Sequence, residues 1–553
     1  MPARLCGDNS ERAEAIPVQS RASQKGKELN KKYVNGTFAL NFYGFRYILQ
    51  ILQSSLYTIA FLRKNRNRKI QIQRLIPVFY GRRGERYVAG MESLHQTIVW
   101  INAVLSDYVL TVLLIGCGVF FTIRTRFVQF RCFGEGMCNA LGKIKGGRRP
   151  SGISPFQSLT AAVAAQVGTG NIVGASGAIL IGGPGAIFWM WVIASFGMAT
   201  IYAEAVLAQK TRVVMPDGSV EGGPVYYIRE AFPGRIGAFL AGLFAVAIIV
   251  ALGCVGCMVQ VNSISATCLT AFGIPTWATG AVLSFFAGLI LIGGVSRLIK
   301  VLEKIAPFMA ILFLVGGLAV LVLRIRYLPE TFGCIFKYAF SPEALLGGGF
   351  GYAFKTAVSQ GIKRGLFSNE AGMGSTPHLH ALADVPSPHV QGTVAMVGLF
   401  IDTYVILTMT ALVVISTVYT GDGPLAYATG GTYRAMLASS GLTQTNLMQY
   451  AISSVSSSAV GNAFVAVCLF FFAFSSVIVW NFFGRINCNY LWGKRSTLIY
   501  SIVAVGFIFC GTLMKSDLVW ELQDLLNQLM VLPNVIALIA LSGTVAASAR
   551  RIG

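Results

Sequence analysis

The 553-residue sequence predicts an all-α polytopic membrane protein with about eleven transmembrane helices. Hydrophobic residues make up 54 % of the chain and charged residues 12 %, about half the charged share of an ordinary soluble domain. Mean hydropathy is +0.64. Apolar runs of roughly twenty residues, the length that crosses the hydrocarbon of a bilayer, recur at about 99–122, 154–182, 184–209, 236–271, 277–296, 303–323, 347–382, 389–419, 455–484, 496–514 and 518–548.

In chain order, residues 91–150 hold an accessory first span and a basic loop. Residues 151–325 and 345–548 hold five spans each. Charge orients these segments. If Ser154 starts its span at the cytoplasm, the loops 123–150, 210–235, 297–304 and 485–495 and the tail 549–553 are cytoplasmic and carry 19 Lys and Arg. The opposite side carries five: Arg324, Arg326, Lys337, Arg434 and Lys515. Such sorting follows the positive-inside rule. It predicts a cell (inner) membrane protein with a cytoplasmic C-terminus, and it accounts for the net charge of +22 without a nucleic-acid partner.

Residues 1–90 do not fit this frame. They hold 17 Lys and Arg against 5 Asp and Glu, yet eleven spans place them outside the cell. No methionine separates Met1 from Met91, and "MESLHQTIVWINAVLSDYVLTVLL" reads as a membrane-protein start. Translation is therefore expected to begin at Met91, with 1–90 a mis-assigned start or a disordered extension.

Two stretches do not read as ordinary spans. In "SPFQSLTAAVAAQVGTGNIVGASGAILIGG" (154–183), glycines crowd around Asn171 at mid-membrane depth. Small residues of this kind serve either close helix packing or a broken helix, whose unwound backbone is tolerated only inside protein or along a cavity. In "KTAVSQGIKRGLFSNEAGMGSTPHLHALA" (355–383), the same pattern centres on Asn369. Aligning the two asparagines, 198 residues apart, lays "GNIVG" over "SNEAG". Each opens a block of five spans, an odd number, so the second block enters from the opposite face. Paired interrupted helices at matching positions point to an inverted-repeat transporter with a midplane site.

Other chemistry finds little support. Cys254 and Cys257 form a C-x-x-C inside a span with no second pair or nearby histidine, and the eleven cysteines are otherwise scattered. His378 and His380 do not share a helical face, so no metal site is expected there. No Gly-x-Ser-x-Gly or His-Glu-x-x-His motif suggests an enzyme.

The blocks 154–212, 364–381 ("RGLFSNEAGMGSTPHLHA"), "TIRTRFVQFR", "EGGPVYYI" and "FIDTYVILTMTALVV" resemble the alanine or glycine:cation symporter family, also called the sodium:alanine symporters, from Met91 to Arg551. The resemblance implies a LeuT-like fold: five plus five inverted helices, two of them broken, and one accessory helix. It implies alanine or glycine as substrate, Na+ as the coupling ion with H+ as the alternative, and no other cofactor. It assigns no oligomeric state.

Carried over by position, the resemblance places Na+ between the carbonyls of Ala164 and Val167 and the hydroxyls of Ser475 and Ser476. The amides of Gly168, Thr169, Gly170 and Asn171 would cradle the substrate carboxylate, as helix N-termini do. Carbonyls near Phe367 and Ser368 would accept from its amino group. Gln260, Ser476 and Trp480 would shape a small pocket. Gln166 stands where the family has a smaller residue, so its amide is a candidate for reaching ion or substrate. Ionisable groups inside spans are functional candidates by default. Asp402 is the candidate for coupling if the ion is H+. Glu370 is expected to pair with Lys363 or Arg364 in support or gating, and Glu204 with a basic residue near the cytoplasmic end of its helix.

Overall fold

The computed structural model describes residues 96, 97, 99, 101, 102, 105, 111–141, 152–215, 220–292, 294–347, 349–430 and 432–550. The expectations for residues 1–90 and for the start at Met91 lie outside them.

The described chain is almost wholly helical. Six helices are long and apolar enough to cross a membrane: Ala186–Thr211, Arg235–Phe272, Arg297–Leu323, Pro388–Val418, Ser458–Trp492 and Ser516–Ala540. A seventh span forms if the bent pair Pro155–Gln166 and Gly170–Gly182 is counted as one. Val112–Arg124, Thr276–Leu291 and Ser496–Gly511 are shorter apolar helices. Phe350–Asn369 is as long as a span, but Lys355, Lys363 and Arg364 make it the most polar of the long segments.

Two elements go beyond the sequence reading. Leu328–Phe340 is an extra amphipathic helix with a proline in its first turn. Val213–Val214 and Val220–Glu221 form a two-residue antiparallel ladder, a small exception to an all-α chain.

Exposed large apolar residues lie in helical stripes. Ile236, Phe239, Leu243, Val246 and Val250 recur every three or four residues, as do Phe308, Ile311, Val315, Leu318 and Val322. Soluble helices keep such faces inward; here they face out, where lipid covers them. The protein interior takes the polar residues instead, including Glu204, Glu370 and Asp402, each fully buried.

The two interrupted segments run antiparallel and cross at their breaks. Before the first, Ile153 donates to the Leu382 carbonyl (3.0 Å) and accepts from the Asp384 amide (2.8 Å), beyond the end of the second. At the far end, a Cβ on Gly182 would lie 3.3 Å from Cα of Ala357, near the start of the second segment. At the centre, a Cβ on Gly170 would lie 2.9 Å from Cα of Ser368.

Candidate functional site

The first segment begins with a capping box: the Ser154 hydroxyl accepts from the Gln157 amide (3.1 Å), and Gln157 accepts from the Ser154 amide (3.0 Å), ahead of Pro155. The helix ends at Gln166, Val167 turns out of it (φ −76°, ψ 89°), and the chain resumes as a π-helical turn at Gly170–Gly174. The two parts are bent by 48°. Gly168 is where neighbouring side chains approach the backbone, since a Cβ there would lie 2.6 Å from Oγ of Ser476 and 3.0 Å from the Gln260 amide.

The second segment unwinds by a different device. The helix runs through Asn369, so Phe367 and Ser368 lie in its last turn. Glu370 then adopts a left-handed conformation (φ 57°), followed by Gly372 (φ 85°) and Gly374 (φ 79°). Helices commonly end on a left-handed residue, usually glycine; a glutamate there is unusual, and its side chain is tied on both oxygens. Trp480 donates to Oε1 through its indole N–H (2.7 Å), and the Ser375 hydroxyl donates to Oε2. The expected pairing with Arg364 is not found. Arg364 instead meets Asp524 (3.2 Å) and lies over the Trp520 ring (4.7 Å), both on the helix Ser516–Ala540.

Asp402 joins both breaks. It lies in a π-helical turn, Ile401–Leu407, of the long Pro388–Val418 helix. Its carboxylate accepts from Asn171 Nδ2 (2.7 Å), the Ser368 hydroxyl (3.0 and 3.2 Å) and the Thr403 hydroxyl (2.8 Å). Asn171 also donates to the Asp402 carbonyl (3.1 Å). Gln166 adds a direct link, its amide donating to the Asn369 carbonyl (2.8 Å). The residue that departs from the expected pattern thus clasps one break to the other.

Of the four proposed ion ligands, three meet: the Ser475 and Ser476 hydroxyls both donate to the Ala164 carbonyl (3.2 and 3.1 Å) and to that of Phe472 (2.8 and 3.2 Å). Val167 lies one turn further along, at the mouth of the break.

The expected carboxylate cradle is differently arranged. The Gly168 amide donates to Asn171 Oδ1 (3.1 Å), that of Thr169 to Gln260 Oε1 (3.0 Å) and that of Asn171 to the Gly168 carbonyl (3.3 Å). These donors are therefore not open. A buried N–H left unpaired costs about 1–3 kcal/mol, so side chains cap them in this conformation. Three buried polar atoms at the breaks, Thr169 Oγ1, Gln166 Oε1 and Asn369 Nδ2, have no partner among the described residues.

The aromatic wall is formed by Phe367, edge-on to Trp480 (5.9 Å) and against Trp520 (4.8 Å). Trp480 itself lies over Gly256, where a Cβ would come within 2.7 Å of its ring. Gly256 ends a third π-helical turn, Ala251–Gly256. These three π turns thus meet at the same centre, in keeping with the concentration of such turns at functional sites.

Glu204 does not pair with a basic residue. Its Oε1 accepts from the Gly374 amide (3.0 Å) and from Asn534 (2.7 Å). Asn534 also donates to the Gly372 carbonyl (2.9 Å) and accepts from the Tyr227 hydroxyl (2.5 Å). The basic residues of its helix lie beyond Glu204 at the helix end, while the unwound second break passes directly beside it. His378 donates to the Ser375 carbonyl (2.7 Å) and accepts from Asn487 (2.9 Å), and His380 meets Gln391 (2.8 Å), so each has its own partners.

Asn534, Trp520 and the Arg364–Asp524 pair were not singled out from sequence. A buried asparagine and an arginine–aspartate pair inside apolar segments were the available signals.

Two broken helices joined through buried carboxylates, in a chain of lipid-facing helices, narrow the identity to a carrier. The sequence profile of the sodium:alanine symporter family matches residues 91–551. The chain belongs to that family. Its members are transporters and not enzymes. Sodium/alanine symporter AgcS of Methanococcus maripaludis is 39 % identical over 447 residues, 80 % of this chain and 94 % of that protein. The putative sodium/proton-dependent alanine carrier YrbD of Bacillus subtilis is 37 % identical over 450 residues, covering 80 % and 89 %. The probable sodium/glutamine symporter GlnT of the same organism is 38 % identical over 457 residues, covering 82 % and 90 %.

Proposed function

We propose that this family member is a secondary active symporter that takes up small neutral amino acids, alanine and glycine, with Na+. The observation that carries the reading is the meeting of the Ala164 carbonyl with the Ser475 and Ser476 hydroxyls beside the first break. Three hard oxygens around the end of a helix suit Na+, and Val167, turning out of the helix, would supply a fourth. The hydroxyls can keep donating to Phe472 while their lone pairs face the ion.

Substrate would replace the internal caps. Its carboxylate takes the Gly168 and Thr169 amides from Asn171 and Gln260, with Gly170 beside them. Its ammonium lies toward the last carbonyls of the Phe350–Asn369 helix, at Phe367 and Ser368, which lack helical partners. Thr169 Oγ1 stands unpaired beside this region. The ring of Trp480 against Phe367 leaves room for a short side chain. The names of AgcS and YrbD support alanine, while GlnT is described as a probable glutamine symporter.

The antiparallel crossing of the two breaks supports a five-plus-five inverted arrangement with an accessory first helix. The sorted basic residues support a cytoplasmic C-terminus in the cell (inner) membrane. In operation, Na+ draws the first break onto the Ser458–Trp492 helix and the ordered amides then bind substrate. The joined breaks rock as one body to open the site inward. Coupling is reciprocal: the factor by which bound Na+ raises substrate affinity is the factor by which bound substrate raises Na+ affinity.

A second reading, H+ coupling, is favoured by one observation, the burial of Asp402 with donors from both breaks. Alanine uptake into proteoliposomes separates the two. Accumulation driven by an inward Na+ gradient alone supports the serine site. Accumulation driven by an inward H+ gradient alone moves coupling to Asp402.

A further inference from the structure

Away from the breaks, Cys132, Glu135 and His389 bring one ligand atom each to within 4.8 Å of one another. We propose that they form a binding site for a single thiophilic divalent cation, Zn2+ by its ligand chemistry. Thiolate, imidazole and carboxylate together are the donor set of zinc, not of Na+ or Mg2+. In a tetrahedral zinc site neighbouring ligand atoms stand about 3.3–3.6 Å apart. His389 Nε2 and Glu135 Oε2 are already 3.2 Å apart, so the cysteine sulfur needs to close by about an ångström.

The surroundings are those of a built site. The Tyr202 hydroxyl holds the other ring nitrogen, Nδ1, at 2.7 Å. A second-shell partner of this kind fixes the ring and leaves Nε2 for the metal. His389 and Cys132 are buried, whereas Glu135 is about one-third exposed and gives the ion a way in. Close backbone packing supports the cluster: a Cβ on Gly136 would lie 2.7 Å from the Thr393 carbonyl, and Asn139 donates to the Thr393 hydroxyl (3.2 Å). The guanidinium of the neighbouring Arg131 donates to the Ala549 carbonyl (2.9 Å). A plain His389–Glu135 pair gives no role to the buried sulfur beside it.

On binding, the Cys132 thiol gives its proton to solvent, and neutral His389 keeps its proton on Nδ1, donating to Tyr202. The fourth position is left to water. The ion then fastens the short helix Phe133–Leu141 to the helix that carries Asp402, across a connection that is otherwise held by packing and hydrogen bonds.

The test uses full-length protein, purified in detergent without a polyhistidine tag, stripped with chelator and titrated with Co2+ and then Zn2+. One Co2+ per chain is expected, with a thiolate-to-cobalt charge-transfer band that Zn2+ abolishes and a rise in Tm on metal addition. Cys132→Ser and His389→Gln should remove the band, and Cys138→Ser, an exposed cysteine of the same helix, should keep it. Tyr202→Phe should weaken affinity roughly tenfold to a hundredfold. A wild-type protein without the band, or a band that persists in Cys132→Ser, overturns the proposal. If Cys132→Ser does not fold, Glu135→Gln and His389→Gln carry the same decision.

Discussion

The first broken helix gives way at glycines pressed against other chains of atoms, whereas the second gives way at a left-handed glutamate followed by two turning glycines. At the first, the loosened groups are backbone amides and carbonyls, capped by Asn171, Gln260 and the two serines. At the second, they are held by carboxylates: Glu370 with Trp480 and Ser375, and Glu204 with the Gly374 amide. The contrast separates two tasks. Backbone that swaps one partner for another suits binding of ion and substrate. Backbone anchored by buried carboxylates suits a support against which the first break moves.

Mutations at the first break should therefore act on affinity and those at the second on turnover, and the largest effect should come from space. Gly168→Ala puts a methyl group 2.6 Å from Ser476 Oγ, displacing the serine from the site. Uptake is expected to fall by about a hundredfold, the effect of an ångström-scale misplacement. Near-normal transport would show that this close approach is not used in the cycle.

Next, Ser475→Ala with Ser476→Ala should raise the half-saturating Na+ concentration by about tenfold or more, since one hydrogen-bonding ligand is worth about 1–1.5 kcal/mol, and at subsaturating Na+ should raise that of alanine in the same direction. Alanine affinity lost with unchanged Na+ dependence would break the assignment of the ion to this break.

Ser375→Ala removes the hydroxyl that holds Glu370 Oε2 and leaves the aromatic wall in place. Roughly tenfold slower maximal uptake is expected, from a charge-assisted hydrogen bond of about 1.5–3 kcal/mol, with little change in apparent alanine affinity. The reverse pattern would make the second break a binding element as well. Asp402→Asn sharpens the boundary, because the carboxylate touches both breaks. With Na+ coupling, uptake falls but keeps its pH profile; with H+ coupling, the dependence on an H+ gradient disappears.

The smallest effect is expected far from both breaks. Arg324 meets the exposed Asp422 at 2.6 Å, and the hydrogen bond from that guanidinium holds the Asp422 carboxyl below its ordinary value. Because the folded value is the depressed one, the pair's contribution is present above the free carboxylate range and is lost as pH falls through the folded value. Exposed pairs contribute little, so Asp422→Asn should leave uptake unchanged and lower Tm only marginally at neutral pH. A clear transport defect would extend the moving parts to this loop.

Much of this contrast was legible in the sequence, but unevenly. Glycine clusters around Asn171 and Asn369 marked where helices break, because glycine weakens a helix wherever it lies and needs no distant partner to do so. The serine pair and Trp480 followed from the resemblance to the symporter family. Pairings between remote residues were not legible. Gln166 reaches a carbonyl 203 positions away and Glu204 an asparagine 330 positions away, and helical periodicity carries no information about which faces meet. The partner of Glu204, expected to be a basic residue, was not legible for that reason. The exact end of the second helix was not legible either, because a glutamate takes the left-handed position that glycine usually marks.

The π turns at Gly170–Gly174, Ala251–Gly256 and Ile401–Leu407 carry a consequence for how such a chain tolerates insertion and loss. Each π turn is in effect an α-helix with one surplus residue. Deleting that residue would restore regular winding and leave the flanking segments in register, so that only the residues of the turn itself change direction. Asn171 and Asp402 can face each other only while both surpluses are kept. Loss of one residue from such a turn would thus break the join between the two interrupted helices while leaving the helices around it in place.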